Sequence, residues 1–299
     1  VFTVGLGPAD GAFKIFASTT VNVVIDVTGY FAPPTAGGLF LHMLPTPIRL
    51  EDTRVGQTAC ITPGAPLPGG VDTTHQGTTT CNGVTIPSVA RAILGNVTVV
   101  LPAANGFITA FPGDAPSRPL AASGNYRSGS ILNSPFTVGL SPTGQFKLYS
   151  VATTDVVIDV LGYFSPDLVD VNGTGLLFTP LTPARLVDSR PGQPACFNLG
   201  APLASGVEQL QGAANSCTIA STARAVLGNV TVVIPPANGF LTFWPSDTPR
   251  PLISTSNYQA GRNFNRFFTT GLGAANGAFK MFSSQSINLV VDVSGYFAP

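Results

Sequence analysis

One phrase occurs three times in this chain, and its spacing limits the folds open to it. It runs from Val21 to Phe31, from Asp155 to Phe164 and from Asn288 to Phe297, closing each time on Gly-Tyr-Phe. Its aspartates, Asp26, Asp159 and Asp292, stand 133 residues apart. Self-similarity at a fixed period marks a structural unit used more than once. Residues 33–165 form one full copy and 166–299 another, while 1–32 match the last quarter of a copy.

The phrase predicts a strand. Val21, Val23, Ile25 and Val27 share one face at period two; Asn22, Val24 and Asp26 share the other. β-Branched residues dominate it, and Ala-Pro or Ser-Pro ends it. An acid at the same place in an apolar strand must be either solvated or paired.

The rest of each copy predicts more short strands. Phe2 to Leu6, a turn at Pro8 to Gly11, and Phe13 to Phe16 precede the first phrase, and the same order stands at 136–164 and 268–297. Asp10-Gly11, Thr143-Gly144 and Asn276-Gly277 fill one slot and read as hairpin turns. Each copy is therefore expected to end in three antiparallel strands. Upstream, Asn96 to Val100 and Asn229 to Val233 alternate like strands, and the turn at Pro102 to Gly106 leads to a return strand, Phe107 to Phe111. The Pro/Gly-rich passages 55–88 and 191–221 read as excursion loops. Trp244 matches Phe111 on an alternating strand and reads as core.

No segment sustains a helical period. About eight strands per copy predict an all-β chain of tandem antiparallel β-sandwich domains, jelly-roll-like. In this reading residues 1–32 are the C-terminal quarter of a sandwich completed from outside the segment. Val1 stands in mid-repeat, so the chain is expected to be a processed or partial product of something longer.

Three motifs carry a resemblance. They are Arg185-Leu186-Val187-Asp188-Ser189-Arg190, the Asn96-Val97-Thr98-Val99 strand and the closing Val-Asp-Val-x-Gly-Tyr-Phe. The chain resembles a family of tandem repeats in secreted and surface proteins of bacteria, over nearly its whole length. That resemblance implies architecture and a place outside the cell; the motifs imply no chemistry.

Charged residues are 9% of the chain against a usual ~25%, and net charge is zero. No basic patch exists to neutralise phosphates, so nucleic acid is not an expected partner. No uninterrupted run of 18 apolar residues predicts a membrane span. Cys60 and Cys81 are 21 residues apart, as are Cys196 and Cys217. One pair per copy, with no Cys-x-x-Cys and with His75 unmatched in the second copy, predicts two disulfides and no metal site.

Recurring charges are few enough to single out. Arg49, Asp52, Arg54, Arg91 and Asp159 recur as Arg185, Asp188, Arg190, Arg224 and Asp292. They read as a structural network, with arginine suited to bidentate pairing, and each closing aspartate is expected to pair with an arginine of its own copy. Lys14, Lys147 and Lys280 read as solvent-facing edge lysines, with an isopeptide link to Asn96 or Asn229 as the alternative.

Catalysis finds no constellation. His42 and His75 have no counterparts, Glu51 and Glu208 do not match, and no phosphate loop occurs. The sequence reads as a non-enzyme without a cofactor. It predicts a structural subunit of an extracellular filament or surface layer. Its partner is itself, head to tail, either in a longer array or by donation of 266–299 to the next subunit. The other reading is a cell-surface module for polysaccharide binding or adhesion. Mass spectrometry of unreduced peptides should find Cys60 linked to Cys81 and Cys196 to Cys217; four free thiols would sink the oxidising-compartment inference.

Overall fold

The computed structural model describes residues 2–7, 9–32 and 37–299. Val1, Pro8 of the first predicted turn and the copy boundary at residue 33 lie outside them. Twenty-one strands and no helix occur among the described residues.

In the first repeat the strands are β1 (Phe40–Asp52), β2 (Asp72–Gln76), β3 (Thr79–Cys81), β4 (Val84–Ile86), β5 (Ala92–Val100), β6 (Gly106–Pro112), β7 (Gly124–Tyr126), β8 (Ile131–Gly139), β9 (Gln145–Ser150) and β10 (Asp155–Ser165). One sheet runs β1-β10-β5-β8 and the facing one β2-β9-β6-β7. Leaving aside the small β3–β4 hairpin, the eight strands take the spatial order 1-8-3-6 and 2-7-4-5. That is the double Greek key of a jelly roll.

A short connection follows, β11 (Val169–Asp170) and β12 (Gly173–Thr174). The second repeat holds β13 (Leu177–Asp188), β14 (Phe197–Asn198), β15 (Glu208–Gly212), β16 (Ala225–Val233), β17 (Gly239–Pro245), β18 (Ser256–Tyr258), β19 (Phe264–Gly271), β20 (Ala278–Ser283) and β21 (Asn288–Ala298). Its sheets, β14-β13-β21-β16-β19 and β15-β20-β17-β18, repeat the same order. The added β14 lies parallel to β13 at the sheet edge.

The closing phrase forms β10 and β21, each hydrogen-bonded on both sides: β10 between β1 and β5, β21 between β13 and β16. Period two then divides its residues. Val156, Ile158 and Val160 enter the first core with Leu50, Phe136 and Phe146. Leu289, Val291 and Val293 enter the second with Phe243, Phe268 and Phe279. Trp244 is fully buried. The prolines of β1 and β13 sit on strands at or near the sheet edge, where the register slips around them.

Several expectations need correcting. The passages 55–88 and 191–221 are not plain loops: they contain β2 to β4, β14 and β15. β2 and β15 are sheet edges and so carry few apolar residues, which disguised them. Nor are the predicted turns hairpins. β5 and β6, like β8 and β9, belong to opposite sheets, so these turns cross the sandwich. Gly144 and Gly277 still take the positive φ their slot needs.

The described residues among 2–32 hold no strand. The turn forms, with Gly7 and Gly11 bonded across it, yet Phe16, Val24 and Tyr30 stand exposed. In a full repeat the closing strand is bonded by the first strand and by β5 or β16. Those partners in both repeats are taken by β10 and β21. Segment 266–299, in turn, pairs inside its own sandwich.

The sharpest close approach is at Gly95 and Gly228, opposite the bulge of the closing strand. A Cβ there would lie 2.1 Å from the Asp159 carbonyl oxygen and 1.9 Å from that of Asp292. Gly95→Ala should therefore force the two central strands apart and cost at least about 2 kcal/mol, measured by urea unfolding; a neutral result would mean the bulge relaxes freely.

Candidate functional site

The charged residues gather at one place per repeat, where the first strand meets the closing one. Arg54 forks Asp52 with Nε to Oδ1 at 2.9 Å and Nη2 to Oδ2 at 2.7 Å. Arg190 holds Asp188 the same way at 3.0 and 2.7 Å. The backbone N–H of each arginine donates to the same carboxylate. Asp-x-Arg is thus a local clamp on a buried acid, and Arg190 holds the Asp188 carboxyl below the usual carboxylate range.

One register step away, Arg49 donates from Nε to Asp159 at 3.0 Å, and Arg185 to Asp292 at 3.0 Å. Each arginine also faces the clamped acid, Asp52 at 3.6 Å and Asp188 at 3.4 Å. Arg91 and Arg224 stand apart from this network and donate to carbonyls of Ser88 and Ala90, and of Thr222 and Ala223. Cys60 is bonded to Cys81 and Cys196 to Cys217. Lys147 lies over the Phe111 ring and Lys280 pairs with Glu208, while Asn96 bonds elsewhere. His42 meets Asp170 of the connection and His75 meets Glu51, and both histidines are buried. Among the described residues no group of three His, Cys, Asp or Glu could hold a metal.

The two copies of the network differ in one respect. The Asp159 side chain is 1% exposed and that of Asp292 36%. What covers Asp159 is the second repeat. Its segment from Leu252 to Asn257 crosses the outer face of the β1-β10-β5-β8 sheet, and main-chain groups do the bonding. Arg49 donates to the Leu252 carbonyl at 2.6 Å, Asn96 to that of Ser254 at 3.3 Å, and Asn133 to that of Thr255 at 2.6 Å. The Asn257 N–H returns a bond to Asn133 at 2.8 Å. Beside this polar strip lies an apolar one, Leu41 and Leu94 against Ala225, Leu227, Phe267 and Phe297. A small void here, lined by Leu94, Asn96, Thr255 and Phe267, has room for no more than about one water.

This seam is the candidate functional site: a heterologous joint between one repeat's sheet face and the next repeat's loop. The sequence reading named Arg49 and Asp159 but missed Asn133 and the 252–257 segment. For Asn133 a signal was present, since it recurs as Asn265 at the same register position of the second repeat.

Burial dominates the Asp159 carboxyl and pushes its pKa up to about 6, with Arg49 and the Ser254 backbone opposing. Its Oδ2 is buried without a partner. A carboxyl whose folded pKa is raised binds extra protons when folded, so its stabilising effect is full below about pH 4 and is lost as pH rises through about 6. The loss is on the order of 3 kcal/mol. Asp159→Asn should flatten that slope in unfolding measured from pH 4 to 7. A slope unchanged in Asp159→Asn would show that burial at the joint is not its cause.

No protein-family model matches the chain, and no curated protein matches it. Among solved structures it is similar to the N-terminal CBM22-1–CBM22-2 tandem domain of Paenibacillus barcinonensis Xyn10C. The identity is 10%, the TM-score 0.21, and 86% of this chain and 98% of that one are covered. It is similar at 10% identity to the Macrobrachium rosenbergii nodavirus structure, with TM-score 0.19 and coverage of 97% and 98%. At these scores neither likeness bears on function.

Proposed function

We propose that the chain is a structural component of an extracellular surface assembly, built from jelly-roll repeats that pack head to tail and carrying out no catalysis. The carrying observation is that the joint is made more than once. Asp159 lies under Ser254 of the next repeat, and Asp26, its counterpart, accepts a bond at 3.2 Å from the N–H of Ala122, the counterpart of Ser254. The same sheet position meets the same loop position at both junctions.

Composition suits this role. A joint made of main-chain carbonyls, asparagines and apolar side chains needs few charges, and net charge near zero does not oppose association. The two disulfides fit an oxidising compartment. Among the described residues no helix is long and apolar enough to cross a membrane.

The polysaccharide reading has less support. Stacking on sugars needs aromatic faces open to solvent. Trp244 is fully buried, and among the described residues Phe240 is the one aromatic beyond residue 31 classed as exposed. Negative-stain microscopy of purified protein should show repeating arrays or stacks as concentration rises. Isolated particles at every concentration, together with saturable binding to surface glycans, would replace the assembly reading with the binding one.

A further inference from the structure

A head-to-tail joint either runs on as an open spiral or closes into a ring, depending on the rotation it imposes. The structure holds parts of three repeats, so the rotation can be read from which of them touch. The unmatched segment meets the first repeat at Asp26 and Ala122. The first meets the second at Asn133, Thr255 and Asn257.

The third junction decides the matter. Gly5 is the counterpart of Gly271, and Pro180 that of Met43, since both stand opposite the glycine of the closing strand. A Cβ on Gly271 would lie 3.8 Å from Met43, and a Cβ on Gly5 would lie 3.7 Å from Pro180. The second repeat therefore offers the unmatched segment the same edge that the first repeat offers the second. The closing phenylalanines agree. Phe31 lies 6.3 Å from Phe164 and 5.6 Å from Phe297, one ring from each copy. Equivalent residues from three successive copies meet this way around an axis and not along an open array.

We propose that the joint closes at three repeats, around an axis marked by Phe31, Phe164 and Phe297. The outer sheet face of the second sandwich is then an unfilled docking site. Asn265 is exposed and Asn229 half-buried there, where their counterparts Asn133 and Asn96 are buried. Its occupant is the five-strand body of a third repeat, to which residues 2–32 would supply the last three strands once paired. That body brings the counterpart of the 252–257 segment to Arg185, Asn229, Asn265 and Asp292. The inference rests on the head-to-tail reading and gives it a form: a three-lobed unit, which tiles or stacks, in place of an open spiral.

Two measurements test it. In the chain as it stands, Gly5→Cys with Pro180→Cys should form an intramolecular disulfide, because the Cβ separation falls within the ~3.5–4.5 Å such a bond needs. No link, in protein whose native pairs 60–81 and 196–217 are intact, overturns closure. In a chain carrying a copy of residues 37–134 ahead of Val1, amides 21–31 and 263–266 should both exchange about 100-fold more slowly than in the parent. Solution scattering should fit a compact monomer of three lobes. Protection at 21–31 alone, with a rod-shaped particle, means that repeats join but do not close. Closure without arrays under the microscope leaves the ring standing and removes the assembly.

Discussion

The closing strand of each repeat is bonded along both edges, and in the first repeat it is also covered on both faces; the rest of the molecule is arranged to make this possible. One face supplies the core through alternate β-branched residues. The other face would be an apolar sheet surface open to water, and in the first repeat the second repeat covers it. A strand used this way can hold very few charges. Besides Asp155 at its start, β10 holds one, Asp159, sited at the joint where Arg49 and the neighbour's main chain meet it.

This explains why the two networks are alike in geometry and unlike in environment. The Asp-x-Arg clamps at Asp52 and Asp188 are local and fold identically in both repeats. Arg49–Asp159 and Arg185–Asp292 have the same 3.0 Å contact, yet the first is sealed and the second faces solvent. An exposed pair of this kind contributes about 0–1 kcal/mol, whereas a sealed one carries a desolvation cost that its partners must offset. The difference arises from the neighbour and not from the repeat.

The joint itself is built from groups that do not depend on side-chain identity at the loop. Carbonyls of residues 252, 254 and 255 accept the bonds, so the donors on the sheet face carry the specificity. Residues 2–32 show the converse. They keep their turn and their contact through Asp26 but make no ladder, because a strand has no hydrogen bonds of its own to make.

Period-two alternation at Val156 to Val160, positive-φ glycines at 144 and 277, the cysteine spacing and the Arg-Leu-Val-Asp-Ser-Arg clamp are local or repeated, and they were legible in the chain. Those features determined an all-β repeat protein with paired charges at strand ends. Which strands face each other across the sandwich, that β2 and β15 exist at all, and that Asn133 and the 252–257 loop form a joint were decided by tertiary structure. Turn residues look the same whether the chain doubles back within a sheet or crosses to the other one, and a main-chain carbonyl that accepts a bond from a neighbouring repeat leaves no mark in the sequence.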